Sequence, residues 1–132
     1  MTDVASRRAK STVMVVDDDP MSVRLIQRIL ESGGFGRVLT STSSTEAIAL
    51  CKAEAPELLL LDLTMPDPDG FAVLAELAEQ IDGDPPLRVL VLSGHEHPAI
   101  ARRAMDLGAL GAIGKTAGRD QLLAKLDEIL AD

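Results

Sequence analysis

Residues of three types stand at the ends of four apolar runs, and together they could handle a phosphoryl group. Asp62 ends Leu58 to Leu61, the acids Asp17, Asp18 and Asp19 follow Thr12 to Val16, Ser93 follows Leu87 to Leu92, and Lys115 lies just past Ala109 to Ile113. Taken alone, Asp62 fits either a turn-forming acid that caps the next loop or a reactive carboxylate. If the run ends meet in space, three or four acids repel one another unless a cation sits among them. An oxygen-rich, cysteine-free pocket of this kind suits Mg²⁺, which keeps several waters and binds through one or two carboxylates plus a substrate phosphate oxygen. A lysine and a hydroxyl at the same place offer a phosphoryl group a positive charge and a hydrogen-bond donor.

The run ends meet if the runs are parallel strands, because the carboxyl ends of such a sheet share one edge, where ligands bind. Four consecutive leucines bounded by turn residues read as a strand buried on both faces. After Thr12 to Val16, Asp19 and Pro20 supply an N-cap and a first turn, and Val23, Ile26, Ile29 and Leu30 recur at helical spacing until Gly33 and Gly34. Arg37 to Thr40 is a weaker strand. The Ser/Thr cluster at 41–45 opens a helix running to about Ala55. A helix is predicted from about Phe71 to Gln80 with Val73, Leu74 and Leu77 facing inward, a strand over Leu87 to Leu92, and a helix from Pro98 carrying Ile100, Ala104 and Leu107. The chain ends with the short strand Ala109 to Ile113 and a helix over about Gly118 to Leu130. Five strands alternating with five helices imply an α/β fold, a doubly wound parallel sheet with helices on both faces. Residues 1–11 are polar and aperiodic and are expected to form a flexible N-terminal arm ahead of one domain over 12–132.

A net charge of −8 over 132 residues argues against direct binding to nucleic acid or to a membrane surface. One cysteine, Cys51, excludes an intrachain disulfide framework and suits a reducing cytosol, and its plainest role is a small apolar residue on a helix face. No apolar run approaches the roughly 20 residues of a membrane span, and the first ten residues lack the apolar region of a signal peptide. A cytoplasmic protein is expected.

With VVDDDP, LLLLDLTMPDPDG, VLVLSG and GAIGK in that order from Thr12 to Leu130, the chain resembles the receiver domains of bacterial two-component response regulators, the CheY-like family. The resemblance implies a flavodoxin/CheY-like fold with strand order 2-1-3-4-5. It implies that Asp62 accepts a phosphoryl group from a histidine kinase or phosphotransfer protein. Asp18 would be a direct Mg²⁺ ligand, Asp17 a ligand through water, the backbone carbonyl of Thr64 a further ligand, Ser93 the switch hydroxyl and Lys115 the phosphoryl-binding cation. The output would be a changed surface read by a downstream effector or a fused output domain, with a homodimer as one form it can take. ALGAIGK also resembles receivers joined to LuxR-type DNA-binding domains. Two positions depart from the family pattern. Thr116 follows the lysine where a cis proline is usual, so a trans bond is expected. Ala112 stands where an aromatic switch residue is common, and the chain has no Tyr or Trp.

Two other readings compete. An aspartyl-nucleophile phosphohydrolase needs a second acid two residues after the nucleophile, and that position is Thr64. A receiver-like interaction module without phosphorylation has no need of the acids, the hydroxyl and the lysine, all of which are present. The domain is therefore read as a non-enzyme. His95 and His97, beside Pro98, read as solvated turn residues, and Arg102 and Arg103 as a solvated helix face.

Overall fold

In the computed structural model, residues 3–66, 68–93 and 98–131 are described. They form one five-stranded sheet in the order β2-β1-β3-β4-β5, parallel at every pairing. The elements are α1 (Val4–Lys10), β1 (Thr12–Val16), α2 (Pro20–Ser32), β2 (Arg37–Ser41), α3 (Ser44–Glu54), β3 (Leu58–Asp62), α4 (Gly70–Glu76), α5 (Ala78–Ile81), β4 (Arg88–Ser93), α6 (Pro98–Asp106), β5 (Gly111–Gly114) and α7 (Arg119–Leu130). The strand order matches the expectation, with seven helices in place of five.

Alternation along the central strands builds two cores. Val13, Val15, Leu58, Leu60, Leu90 and Leu92 point to one face, against Ile26 and Leu30 of α2 and Leu122, Leu126 and Ile129 of α7. Met14, Val16, Leu59, Leu61, Val89 and Val91 point to the other, against Ala47 and Cys51 of α3, Val73 and Leu74 of α4 and Ala104 of α6. Leu58 to Leu61 are wholly buried, which is the reason for an unbroken apolar run. At about 1.5–3 kcal/mol per buried leucine, these four contribute on the order of 6–12 kcal/mol. β3 is therefore a rigid base for the residue at its end.

Two expectations change. Residues 1–11 are not a loose arm throughout, because Val4–Lys10 is helical, opened by Asp3, whose carboxylate accepts from the Ser6 amide at 2.7 Å. Seven residues with no buried side chain make a marginal helix alone. Arg8 holds it in place, donating from Nε to Asp127 Oδ1 at 2.9 Å, from Nη2 to Asp127 Oδ2 at 2.5 Å and from Nη1 to the Gly33 carbonyl at 3.0 Å. The end of α1 also lies so close to Gly36 that a Cβ there would come within 1.9 Å of the Ala9 carbonyl oxygen. The helix expected over Phe71 to Gln80 breaks at Leu77, whose φ of −99° and ψ of 12° end α4, while its side chain stays buried. In α6, Ala104 is buried and Ile100 is 37 % exposed. Among the described residues the cis peptide bond is Asp84–Pro85, and Lys115–Thr116 is trans as expected. No described helix is long and apolar enough to cross a membrane. His95 and His97 lie outside the described residues.

Candidate functional site

The carboxyl edge of the sheet brings Asp17, Asp18, Asp62 and Lys115 together. Register explains the meeting: Val16 pairs with Leu61, and Asp62 with Leu92, so the residues ending β1, β3 and β4 emerge side by side. Ser93 is one residue past the register partner of Asp62, and its carbonyl accepts the Lys115 amide at 2.9 Å, which pins the lysine at the end of β5.

Asp17 and Asp62 are completely buried, whereas Asp18 is exposed. Lys115 Nζ lies 2.9 Å from Asp62 Oδ2 and 3.1 Å from Asp17 Oδ2. Each buried acid also folds back on its own loop. Asp62 Oδ1 accepts the Thr64 amide at 3.0 Å and the Thr64 hydroxyl at 2.9 Å, and Asp17 Oδ1 accepts the Asp19 amide at 3.0 Å. These are Asx-type turns, in which the side chain takes a backbone donor two residues on. Asp62 therefore organises its own turn and also faces the Lys115 ammonium. Asp19 caps α2, accepting from the Met21 amide and the Ser22 hydroxyl.

Burial raises the Asp62 carboxyl, but the Thr64 amide, Lys115 and the Thr64 hydroxyl outweigh it and leave the group below the ordinary carboxylate range. In Asp17 burial wins over the Asp19 amide and Lys115, and the carboxyl is raised. Burial lowers Lys115, but Asp62 and Asp17 overcome that and hold it charged. Asp62 is thus the better anion of the buried pair.

Two buried carboxylates face one ammonium with Asp18 close by, and the donor set is unfinished. Asp17 Oδ2 is buried without a hydrogen bond and meets Lys115 only as an ion pair. One oxygen from each of Asp17, Asp18 and Asp62 lies within 4.8 Å of the others. A small divalent cation with oxygen ligands at about 2.0–2.1 Å places opposite ligands about 4 Å apart, so slight inward movement of these groups would close on one.

Ser93 lines a cavity of about 350 Å³ beside the site, together with Leu63, Ala112, Ile113 and, from α6, Pro98, Ile100 and Ala101. Sequence reasoning assigned Thr64 only a carbonyl. The hydroxyl and amide that hold Asp62 were missed, although an Asp followed two residues later by Thr is a readable turn signal. Arg102 and Arg103 are exposed, as expected, and the Arg103 guanidinium also lies 4.0 Å from the centre of the Phe71 ring, a contact the sequence did not signal.

Comparison with known proteins places the chain in a family. The family described as the response regulator receiver domain matches residues 13–127. The acid tolerance regulatory protein ActR of Rhizobium meliloti is 34 % identical over 115 residues, covering 87 % of this chain and 57 % of ActR. The chain spans little more than half the length of such relatives. Among solved structures, a CheY-like receiver domain protein from Methanospirillum hungatei superimposes with a TM-score of 0.83 at 25 % identity, covering 92 % of this chain and 94 % of that one. The BeF3-activated N-terminal receiver domain of Klebsiella pneumoniae RstA gives 0.81 at 26 %, covering 92 % and 99 %. With nearly the whole sheet matched and acids, hydroxyl and lysine at its carboxyl edge, the chain belongs to the response regulator receiver domain family.

Proposed function

We propose that this domain takes a phosphoryl group onto Asp62 from a phosphohistidine of a histidine kinase or phosphotransfer protein, in a Mg²⁺-dependent reaction. The phosphorylated domain then presents a changed surface to a downstream effector protein or an output domain. The observation that carries this reading is a fully buried carboxylate kept ionised beside a lysine and two further acids. A buried charge of this kind is costly unless it is used or paired.

In the transfer, an Asp62 oxygen attacks phosphorus in line with the P–N bond; the O–P bond forms, and the imidazole nitrogen leaves with the bonding pair. The chain supplies position and charge, which is most of what such a loose transition state requires. Thr64 grips Oδ1 with two donors and fixes the carboxylate. Lys115 shifts from the carboxylates to a phosphoryl oxygen. Asp17, Asp18, Asp62 and the Thr64 carbonyl would hold Mg²⁺, which when bound would supply positive charge to offset that of the phosphoryl oxygens. The Ser93 hydroxyl then donates to the acyl phosphate, a contact that differs between the two states and so shifts their populations.

The donor approaches over α2. Its first turns present Met21, 78 % exposed, and Leu25, 60 % exposed, beside Arg24 and Arg28 and next to the acid pocket. An apolar pair framed by arginines suits a protein partner. The domain works in the cytoplasm and does not itself contact nucleic acid, given its negative charge. The test is labelling by acetyl phosphate or a kinase with Asp62→Asn, which keeps the shape and removes the nucleophile. Labelling should vanish, and full-stoichiometry labelling of the variant would assign the acceptor elsewhere.

A further inference from the structure

We infer that the stack of Arg103 on Phe71 is the link that passes the state of Asp62 to α6, an inference that rests on the function proposed above. Three observations converge on it. First, α4 is seated directly on the Asp62 peptide. Gly70, its first residue, lies so close that a Cβ there would come within 2.8 Å of the Asp62 carbonyl oxygen and 2.6 Å of the Leu63 Cα. The Gly70 amide also donates to the Leu63 carbonyl at 3.4 Å. No side chain fits between them, so displacement of Asp62 and Leu63 is felt at once by the first turn of α4.

Second, the next residue is Phe71, and the Arg103 guanidinium sits 4.0 Å from the centre of its ring. A cation held over an aromatic face is attracted by the ring quadrupole. Only Gly70 and one ring separate the phosphoacceptor peptide from α6. Phe35, the other phenylalanine of the chain, lies under Arg8 near α1, and among the described residues no other cation–ring contact reaches α6.

Third, α6 has room to respond. Its second half is anchored by Ala104, which is wholly buried. Its first half, through Pro98, Ile100 and Ala101, faces the cavity of about 350 Å³ that the small side chain of Ala112 leaves open on the sheet. Close-packed elements shift between discrete arrangements, and an unfilled space beside one end of a helix is where a second arrangement fits. Arg103 lies next to the anchor at Ala104, so a pull on it tilts the free half over that space. Phe71 and Arg103 are positioning residues and take no part in the phosphoryl transfer.

A coupling route requires coupling evidence. Backbone amides would be followed by NMR with Mg²⁺ and beryllofluoride, which mimics a phosphoryl group on a carboxylate. In the wild type, amides of Asp62, Thr64 and Lys115 should move, and so should those of Ala101 to Leu107. In Phe71→Leu and in Arg103→Gln the site amides should still move while the α6 response is largely lost. The double variant should lose no more than either single one, and Phe71→Tyr, which keeps the ring, should retain the response. A merely structural stack would lower the melting temperature equally with and without beryllofluoride and leave the α6 shifts intact. That outcome, or a Phe71→Leu variant whose α6 moves as in the wild type, overturns the inference alone. A wild-type domain whose Asp62 and Lys115 amides ignore beryllofluoride overturns the proposed function and the inference with it.

Discussion

Replacing Lys115 by methionine tests whether the pocket is built around charge. Met keeps the length of the side chain and removes the ammonium, leaving Asp17 and Asp62, both wholly buried, facing each other without their counter-ion. Stripping one partner from a buried ion pair costs about 3–5 kcal/mol. The Lys115 side chain is 25 % exposed, so water reaches part of the vacated space and the lower end, about 3 kcal/mol, is expected. For a domain of this size 1 kcal/mol corresponds to roughly 3–5 °C of melting temperature, which gives a fall of about 10 °C in EDTA. In excess Mg²⁺ a cation bound only by the folded state restores stability by mass action. The gap between wild type and variant should therefore narrow, and the variant should gain more from the metal than the wild type does. Asp18→Ala, made in the Lys115→Met background, should remove most of that gain. The assay is thermal unfolding of the proteins with EDTA and across a Mg²⁺ titration. A Lys115→Met domain that melts with the wild type in EDTA would show that the two carboxylates are not both charged and buried, and the electrostatic account of the site would fail.

Three other outcomes are expected. Burial pushes the Cys51 thiol up to about 11 from an ordinary 9.0. The unfolded chain therefore ionises first, and the stabilisation, full below pH 9, is lost as pH rises through 11; urea melts should show a deficit of about 2–3 kcal/mol by then, absent from Cys51→Ala. Leu25→Asp should slow labelling by a cognate kinase while leaving acetyl phosphate labelling unchanged, and equal slowing of both would move the docking face elsewhere. Ser93→Ala should be labelled normally yet show weaker beryllofluoride shifts in α6, and shifts equal to wild type would exclude the hydroxyl as the reporter.

Much of this molecule was legible from local patterns, for a physical reason. A strand buried on both faces must be apolar at every position, so Leu58 to Leu61 announce β3 without help from the rest of the chain, and the abrupt acid after them marks its end. Once parallel strands are accepted, their carboxyl ends share an edge, which is why Asp17, Asp62, Ser93 and Lys115 could be grouped before any distance was known. The Asp19 cap and the Pro20 helix start are local as well, since a cap depends on residues two or three apart.

What only the tertiary structure decided rests on contacts between residues far apart in the chain. The helix at Val4–Lys10 is unconvincing by composition and exists beside Asp127, a residue 119 positions from Arg8. The predicted single helix after Gly70 is interrupted at Leu77, which nevertheless stays buried. Arg103 looks like any exposed arginine until α4 and α6 bring it over Phe71. The balance between the two buried acids belongs to the same class. Asp17 and Asp62 are alike in sequence, and Asp62 becomes the stronger anion because the Thr64 hydroxyl and amide and the Lys115 ammonium all converge on it, while burial prevails at Asp17. Residue types and run ends name the participants in the chemistry, but charge state depends on desolvation and on the count of donors within reach, and both are properties of the packed molecule.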